Sequence, residues 1–268
     1  MSRLIDHIAD FLVENGFELS FQIRHDFDVI VTRTLDGRHT KVILPLEISA
    51  GTIEEAEAES ENAEDAIRMI TREAGYPLII TEDRWRSQRQ MMEARLLAHL
   101  ELFSQAYARN CEVRRIEKAE AHEFLNRNHS YGDAACKYRY GLFLKRHTGH
   151  IAAEMGFPIG SGMTEGKLIA VATFSNARKW IKGGKEIRSY EWTRYASLPD
   201  LRVSGGMGKM LKAFIKEVQP DDIMSYADLE WSEGKVYERL GFKAEAEKEP
   251  VSFAIDPQTW ERTAIRRS

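Results

Sequence analysis

The stretch that most restricts the fold is Leu198-Pro-Asp-Leu-Arg-Val-Ser-Gly-Gly-Met-Gly-Lys209. It lies between a β-prone run, Ser189–Ser197, and a run of helical period, Gly206–Val218, so the chain must pass there from strand to helix. Glycines at 205, 206 and 208 let the backbone approach another group closely, and the first amides of a helix have no partner within it. Such a helix start carries roughly half a positive charge and suits a pyrophosphate. Glycine-rich turns of this kind also arise for steric reasons alone. The turn by itself leaves both readings open.

Elements of the same two kinds surround it. Glu112–Ile116, Tyr138–Lys145 (YRYGLFLK), Lys167–Ser175 (KLIAVATFS), Asp222–Ala227 and Val251–Ile255 read as strands, with helices at Ala119–Asn128 and Gly234–Leu240. The connection His147–Gly166 holds five glycines and reads as a loop. Earlier in the chain, Leu4, Ile5, Ile8, Phe11 and Leu12 recur at helical spacing up to a stop at Gly16. Phe27–Thr32 and Lys41–Ser49 are β-branched runs on either side of an Asp36-Gly37 turn. Ile53–Glu73 is a predicted helix whose seven acids between Glu54 and Asp65 form a solvated face. Pro77–Thr81 is a short strand, and Asp83–Ala108 is predicted as one long bridging helix. The expected organisation is α/β (α+β): a smaller N-terminal α/β domain over 1–82, a helical bridge over 83–110, and a mixed sheet flanked by helices over 111–268.

Charge supports a division. The net charge of −4 is distributed as 12 Lys/Arg against 20 Asp/Glu in residues 1–110, and 26 against 22 beyond. No apolar run reaches the roughly 18 residues that span a bilayer, and Met1–Glu14 has neither the apolar core nor the cleavage site of a signal peptide. Cys111 and Cys136 read as free thiols of a reducing compartment. These features predict a soluble, cytoplasmic protein.

The residues after the turn are more specific. Ser225-Tyr-Ala-Asp-Leu-Glu-Trp-Ser-Glu-Gly-Lys-Val-Tyr-Glu-Arg-Leu-Gly-Phe242 ends in Tyr237-Glu-Arg-Leu-Gly-Phe242, some thirty residues beyond Gly206-Met-Gly208. The combination resembles the GNAT acyltransferases, in which a strand, a Gly-x-Gly turn and a helix lead to a second strand and then to a helix ending in Tyr-Glu-x-x-Gly-Phe. Tyr107–Glu112, Phe124–His129 and Tyr226–Gly234 are similar to phrases of phage-associated proteins that couple such a domain to a nuclease-like N-terminal part. The resemblance implies an acyl-CoA, acetyl-CoA above all, held at Leu198, Val203, Ser204, Gly205, Gly206, Gly208 and Lys209. Val203 stands where the family usually has Arg or Gln. Tyr237 matches the tyrosine that protonates the departing thiolate, a role that a phenol fills only from within a hydrogen bond. Asp228 and Glu191 are the candidate bases, with His129 third; His129, Arg194 and Trp231 are candidate contacts to the acceptor. Strict alternation along the strand places Glu191 and Arg194 on opposite faces.

Other chemistry has less support. No nucleophile motif surrounds Cys136, and the eight histidines lack metal-ligand spacing. Asn176–Arg188 carries five bases around Trp180 in a predicted hairpin tip, which could follow phosphates or be only a solvated turn. Asp28 and Glu47-Ile-Ser49 resemble the Asp…Glu-x-Lys arrangement of restriction-endonuclease-like cores, with Ser49 in the lysine position, and so imply a degenerate relative. The expectation is an acyl-CoA-dependent N-acyltransferase-like protein acting on an amine, a nucleobase or protein amine included. The alternative is a non-catalytic nucleic-acid-associated module that retains both folds.

Overall fold

The structure, a computed structural model, describes residues 3–49, 51–145, 164–230, 234–248 and 251–265. It divides into two units: residues 1–102 with 228–235 and 243–268, and residues 103–227 with 236–242. The fold is α+β. The boundaries differ from those predicted because the C-terminal segment returns to the N-terminal unit and the bridging helix is absent.

In the N-terminal unit, α1 (Leu4–Glu14) buries Leu4, Ile5, Ile8, Ala9 and Leu12. Asn15 donates its side-chain amide to the Phe11 carbonyl (2.8 Å), and Gly16 leaves the helix at φ +83°. Strands β1 (Leu19–Arg24), β2 (Phe27–Arg33) and β3 (Thr40–Leu46) run antiparallel, β1 to β2 and β2 to β3. β1 was not foreseen. Its apolar residues are not buried, with Phe21 at 61% and Ile23 at 75% exposure, and the turn into β2 uses His25 and Asp26 at positive φ in place of glycine. After α2 (Ile53–Ala74), whose Thr52–Glu55 capping box starts it, the chain enters β4 (Leu78–Thr81) parallel to β3. The sheet order is β1-β2-β3-β4.

The predicted helix Asp83–Ala108 is two helices, α3 (Glu82–Ser87) and α4 (Arg89–His99), broken at Gln88. They belong to the unit's core: Trp85, Met92, Leu96 and Leu100 pack with Ile8, Leu12, Ile30, Ile43 and Ile80. Buried side chains on α3 and α4 would be orphaned in a free-standing linker, which is why the segment folds back.

The second unit opens with β5 (Ser104–Tyr107), then β6 (Cys111–Arg115), α5 (Lys118–Asn128), β7 (Tyr138–Leu144) and β8 (Leu168–Phe174). The glycine-rich connection falls mostly in residues 146–163, outside the described residues. β9 (Arg178–Lys182) and β10 (Lys185–Ser197) form a hairpin around Gly183 and Gly184, both at positive φ. There follow β11 (Leu201–Ser204), α6 (Gly206–Val218), β12 (Asp222–Met224) and α7 (Lys235–Arg239). The main sheet runs β12-β10-β8-β7-β6; only the β10–β12 pair is parallel. Phe214 of α6 stacks on Phe174 of β8 (3.9 Å between centroids) at the centre of this core. The last strands, β13 (Phe253–Ile255) and β14 (Arg262–Ala264), pair with each other and lie in the N-terminal unit.

Candidate active site

β10 changes partners along its length. It pairs with β12 only at Ser189–Glu191 opposite Asp222–Met224; from Trp192 to Ser197 it pairs with β8, and the register shifts between Trp192 and Arg194. Thr193 is therefore the extra residue of a β-bulge, held by its hydroxyl to the Thr173 hydroxyl (2.8 Å) and carbonyl (3.0 Å). A bulge resets alternation. Trp192 and Tyr195 fall on one face, ring edge to ring (6.1 Å), with the α6 core; Ala196 packs against α5. By the same count Glu191 and Arg194 share the α5 face, contrary to the strict alternation read from sequence.

Past the bulge, the Leu198 N–H donates to the Ile169 carbonyl (3.0 Å). In this antiparallel register Ala196 and Leu198 turn their amides to β8, so Tyr195 and Ser197 turn theirs to the opposite edge. β12 ends at Met224, and just beyond it Ser225 Oγ donates to the Trp192 carbonyl (3.0 Å). The result is a parting of two parallel strands with two main-chain amides along its wall. Leu198, which the resemblance assigns to the acyl-CoA, spends its amide on β8; nothing in the letters marks the bulge that sets the phase.

The glycine turn lies next on the chain. Val203 and Ser204 sit on β11, which pairs parallel with β5, and Ser204 Oγ accepts from Gln105 Nε2 (2.9 Å). Gly205 caps α6 at φ +75°, a conformation that excludes most side chains. The first helical bond runs from the Lys209 N–H to the Gly205 carbonyl (3.0 Å), so the amides of Gly206, Met207 and Gly208 precede the ladder. A Cβ on Gly206 would lie 2.9 Å from Val203 Cγ1 and 3.2 Å from the Tyr195 hydroxyl, and one on Gly208 3.3 Å from Leu240 Cδ2. Internal packing thus requires the glycine at 206 and leaves little room for a side chain at 208. The Lys209 ammonium donates to the Ala108 (2.7 Å) and Cys111 (2.5 Å) carbonyls; it ties α6 to the start of β6 and is not free to hold a phosphate, as the sequence suggested. Burial pushes the Tyr195 phenol well above its ordinary range, with the Cys111 sulfur adding to it.

Tyr237 lies on α7, half-buried, its ring edge-on to Trp192 (6.3 Å) and to Phe242 (5.6 Å). Its carbonyl accepts from Leu240 and Phe242, both at 3.0 Å, which is the local reason for the Tyr-Glu-x-x-Gly-Phe spacing. Glu191 is half-buried on β10, its main chain fixed through Ser175 (2.9 Å each way). Arg194 donates to the Gly132 (3.0 Å) and Thr193 (2.7 Å) carbonyls. His129 ends α5, where its Nδ1 accepts the Tyr131 N–H (3.1 Å). Trp231 lies outside the described residues.

Asp228 has partners of its own. It belongs to the N-terminal unit, where one carboxylate oxygen accepts the Glu230 N–H (3.0 Å) and the other meets Arg84 Nη2 (3.5 Å). Arg84, only 3% exposed, also donates to Glu230 (2.8 Å). Arg262 grips Asp83 through two hydrogen bonds and reaches Glu230 (3.0 Å) and the Thr81 hydroxyl (2.9 Å). Burial pushes the Asp83 carboxyl up, but Arg262, Thr81 and the Arg84 amide outweigh it and hold the group below its usual range. Burial, with Arg84 beside it, brings Arg95 down to about 10. An aspartate inside such a network is committed to structure, so the candidate base assigned to Asp228 is withdrawn. In the same unit Asp28 accepts from Arg3 Nη1 (2.9 Å) and Glu47 from the Leu4 N–H (2.9 Å). Both nuclease-like carboxylates serve the start of α1.

No family model matches the chain, and no curated protein matches it. Among solved structures, the tetramutant of BH1408 protein from Bacillus halodurans is similar over 53% of this chain and 99% of its own, at 10% identity and a TM-score of 0.36.

Proposed function

We propose that the second unit is an acyl-CoA-dependent N-acyltransferase of the GNAT type. The observation that carries this reading is the parting of β10 from β12 just beyond Glu191 and Met224, with a bulge beside it and the half-buried Tyr237 against Trp192. The order strand, glycine turn, helix, parallel strand and short helix supports it. The amides of Gly206, Met207 and Gly208 would hold the pyrophosphate, without help from Val203 or Lys209. A bound acyl-CoA supplies an activated acyl group as its thioester. The Tyr195 and Ser197 amides donate to the charge that develops on the carbonyl oxygen. Tyr237 gives its phenolic proton to the leaving sulfur, and no described residue competes for that hydroxyl. Glu191, on the same face as Arg194, is the base assigned here, with His129 the other candidate.

Acetyl-CoA should raise the melting temperature of the purified protein; at about 100 times Kd it adds roughly 2.7 kcal/mol of stability. An unchanged melt at millimolar ligand would dismiss the assignment. One observation favours the other reading, a module that binds without chemistry: Gly206 and Lys209 are accounted for by contacts within the protein.

A further inference from the structure

Lys209, Lys212 and Lys216 share one face of α6 at positions i, i+3 and i+7. With Lys145, next after β7, they line a cavity of about 370 Å³ whose other wall is Cys111, Glu112 and Val113 of β6, the outermost strand of the main sheet. Lys209 is pinned by the Ala108 and Cys111 carbonyls. Lys212 and Lys216 are exposed, and no described residue pairs with them. Two acids lie at or beside the groove, and neither pairs with Lys212 or Lys216. Glu217 takes the Tyr140 hydroxyl (2.8 Å) and Arg115 (3.7 Å), and Glu112 is shared between Arg114 and Lys145.

The strand adds a donor. The Lys145 N–H bonds the Asn110 carbonyl (2.8 Å), and in that register Cys111 and Val113 turn their main-chain groups outward. The Cys111 carbonyl meets Lys209, leaving the Val113 amide open on the groove. From Lys209 to Lys216 the helix rises about 10 Å, a length in which one strand of a duplex carries about three phosphates.

We infer that this groove binds the phosphodiester backbone of nucleic acid. The site is independent of the acyl-CoA reading and lies on the β6 side of α6. An acidic peptide added as a strand to β6 fits less well, because Lys209 already occupies the Cys111 carbonyl of a five-residue strand.

The test is fluorescence anisotropy of a labelled single-stranded oligonucleotide between 50 and 200 mM salt. Wild type should bind with log affinity falling linearly in log salt. Lys212→Ala/Lys216→Ala should weaken binding about tenfold at the low-salt end, equally for unrelated sequences, and lower the slope by about 1.4. Both lysines are exposed, so circular dichroism should not change and the response to acetyl-CoA should be kept. The inference is overturned if wild type does not bind at 50 mM salt, or if the double variant binds as wild type does. It also fails if polyglutamate displaces the oligonucleotide as well as unlabelled oligonucleotide does, or if Trp180→Ala abolishes binding while the lysine pair does not.

Discussion

Replacing Arg262 with Met tests how the C-terminal segment is held in the N-terminal unit. Asp83 is 1% exposed and takes two hydrogen bonds from Arg262. Without that partner a charged carboxylate stays in a site it cannot leave, and breaking a buried pair in this way costs about 3–5 kcal/mol. At the 2–4 °C per kcal/mol typical of chains of this size, the melting temperature should fall by roughly 10 °C. The effect should depend on pH in a definite sense. In wild type the folded pKa of Asp83 is depressed, so its contribution is full above the unfolded value of about 3.9 and is lost as pH falls through the folded value. In Arg262→Met the buried carboxyl has a raised pKa instead, so acidification to pH 4.5 relieves the variant, while wild type keeps this contribution until pH falls below about 3.9. Urea unfolding of both proteins at pH 7 and near pH 4.5, followed by circular dichroism, should show the gap narrowing. Asp83→Asn in the Arg262→Met background should recover part of the loss at pH 7. A loss below about 1 kcal/mol at pH 7 would refute the reasoning, since that is the worth of an exposed pair.

Two further substitutions address the proposed site. Tyr237→Phe keeps the ring against Trp192 and Phe242, so stability should change by less than about 1 kcal/mol while acetyl transfer falls by 10²–10⁴-fold; normal turnover would remove Tyr237 as the acid. Gly206→Ala should destabilise by about 1–3 kcal/mol through its clash with Val203, and Val203→Ala should restore part of that; a cost that Val203→Ala leaves untouched would refute Val203 as the source of the clash.

The elements with strong periodicity were legible in the sequence: α1, α2, α6 and the strands β2, β3, β7 and β8. The Asp36-Gly37 and Gly183-Gly184 turns announced their hairpins. β1 was not legible because its turn residues, His25 and Asp26, adopt positive φ without glycine. The break at Gln88 carries neither proline nor glycine; the burial of Trp85 on one side and Met92 on the other imposes it. Local rules hold only where local terms dominate, and these positions are set by tertiary packing.

The site's phase and its membership failed for separate physical reasons. A single inserted residue, Thr193, moves every later side chain of β10 to the other face, so no count along the strand could say which carboxylate or amide looks into the opening. Membership is a matter of partners distant in sequence. The phrase Tyr226–Gly234 reads as one motif, yet the boundary between units falls between Ala227 and Asp228. Before that point Ser225 still bonds β10; after it Asp228 and Glu230 answer to Arg84 and Arg262. The arginines that claim them lie more than thirty residues away on one side and more than a hundred on the other. A carboxylate in a suggestive motif is available for catalysis only if no buried guanidinium has already taken it. That condition keeps Glu191 as a candidate base and rules out Asp228.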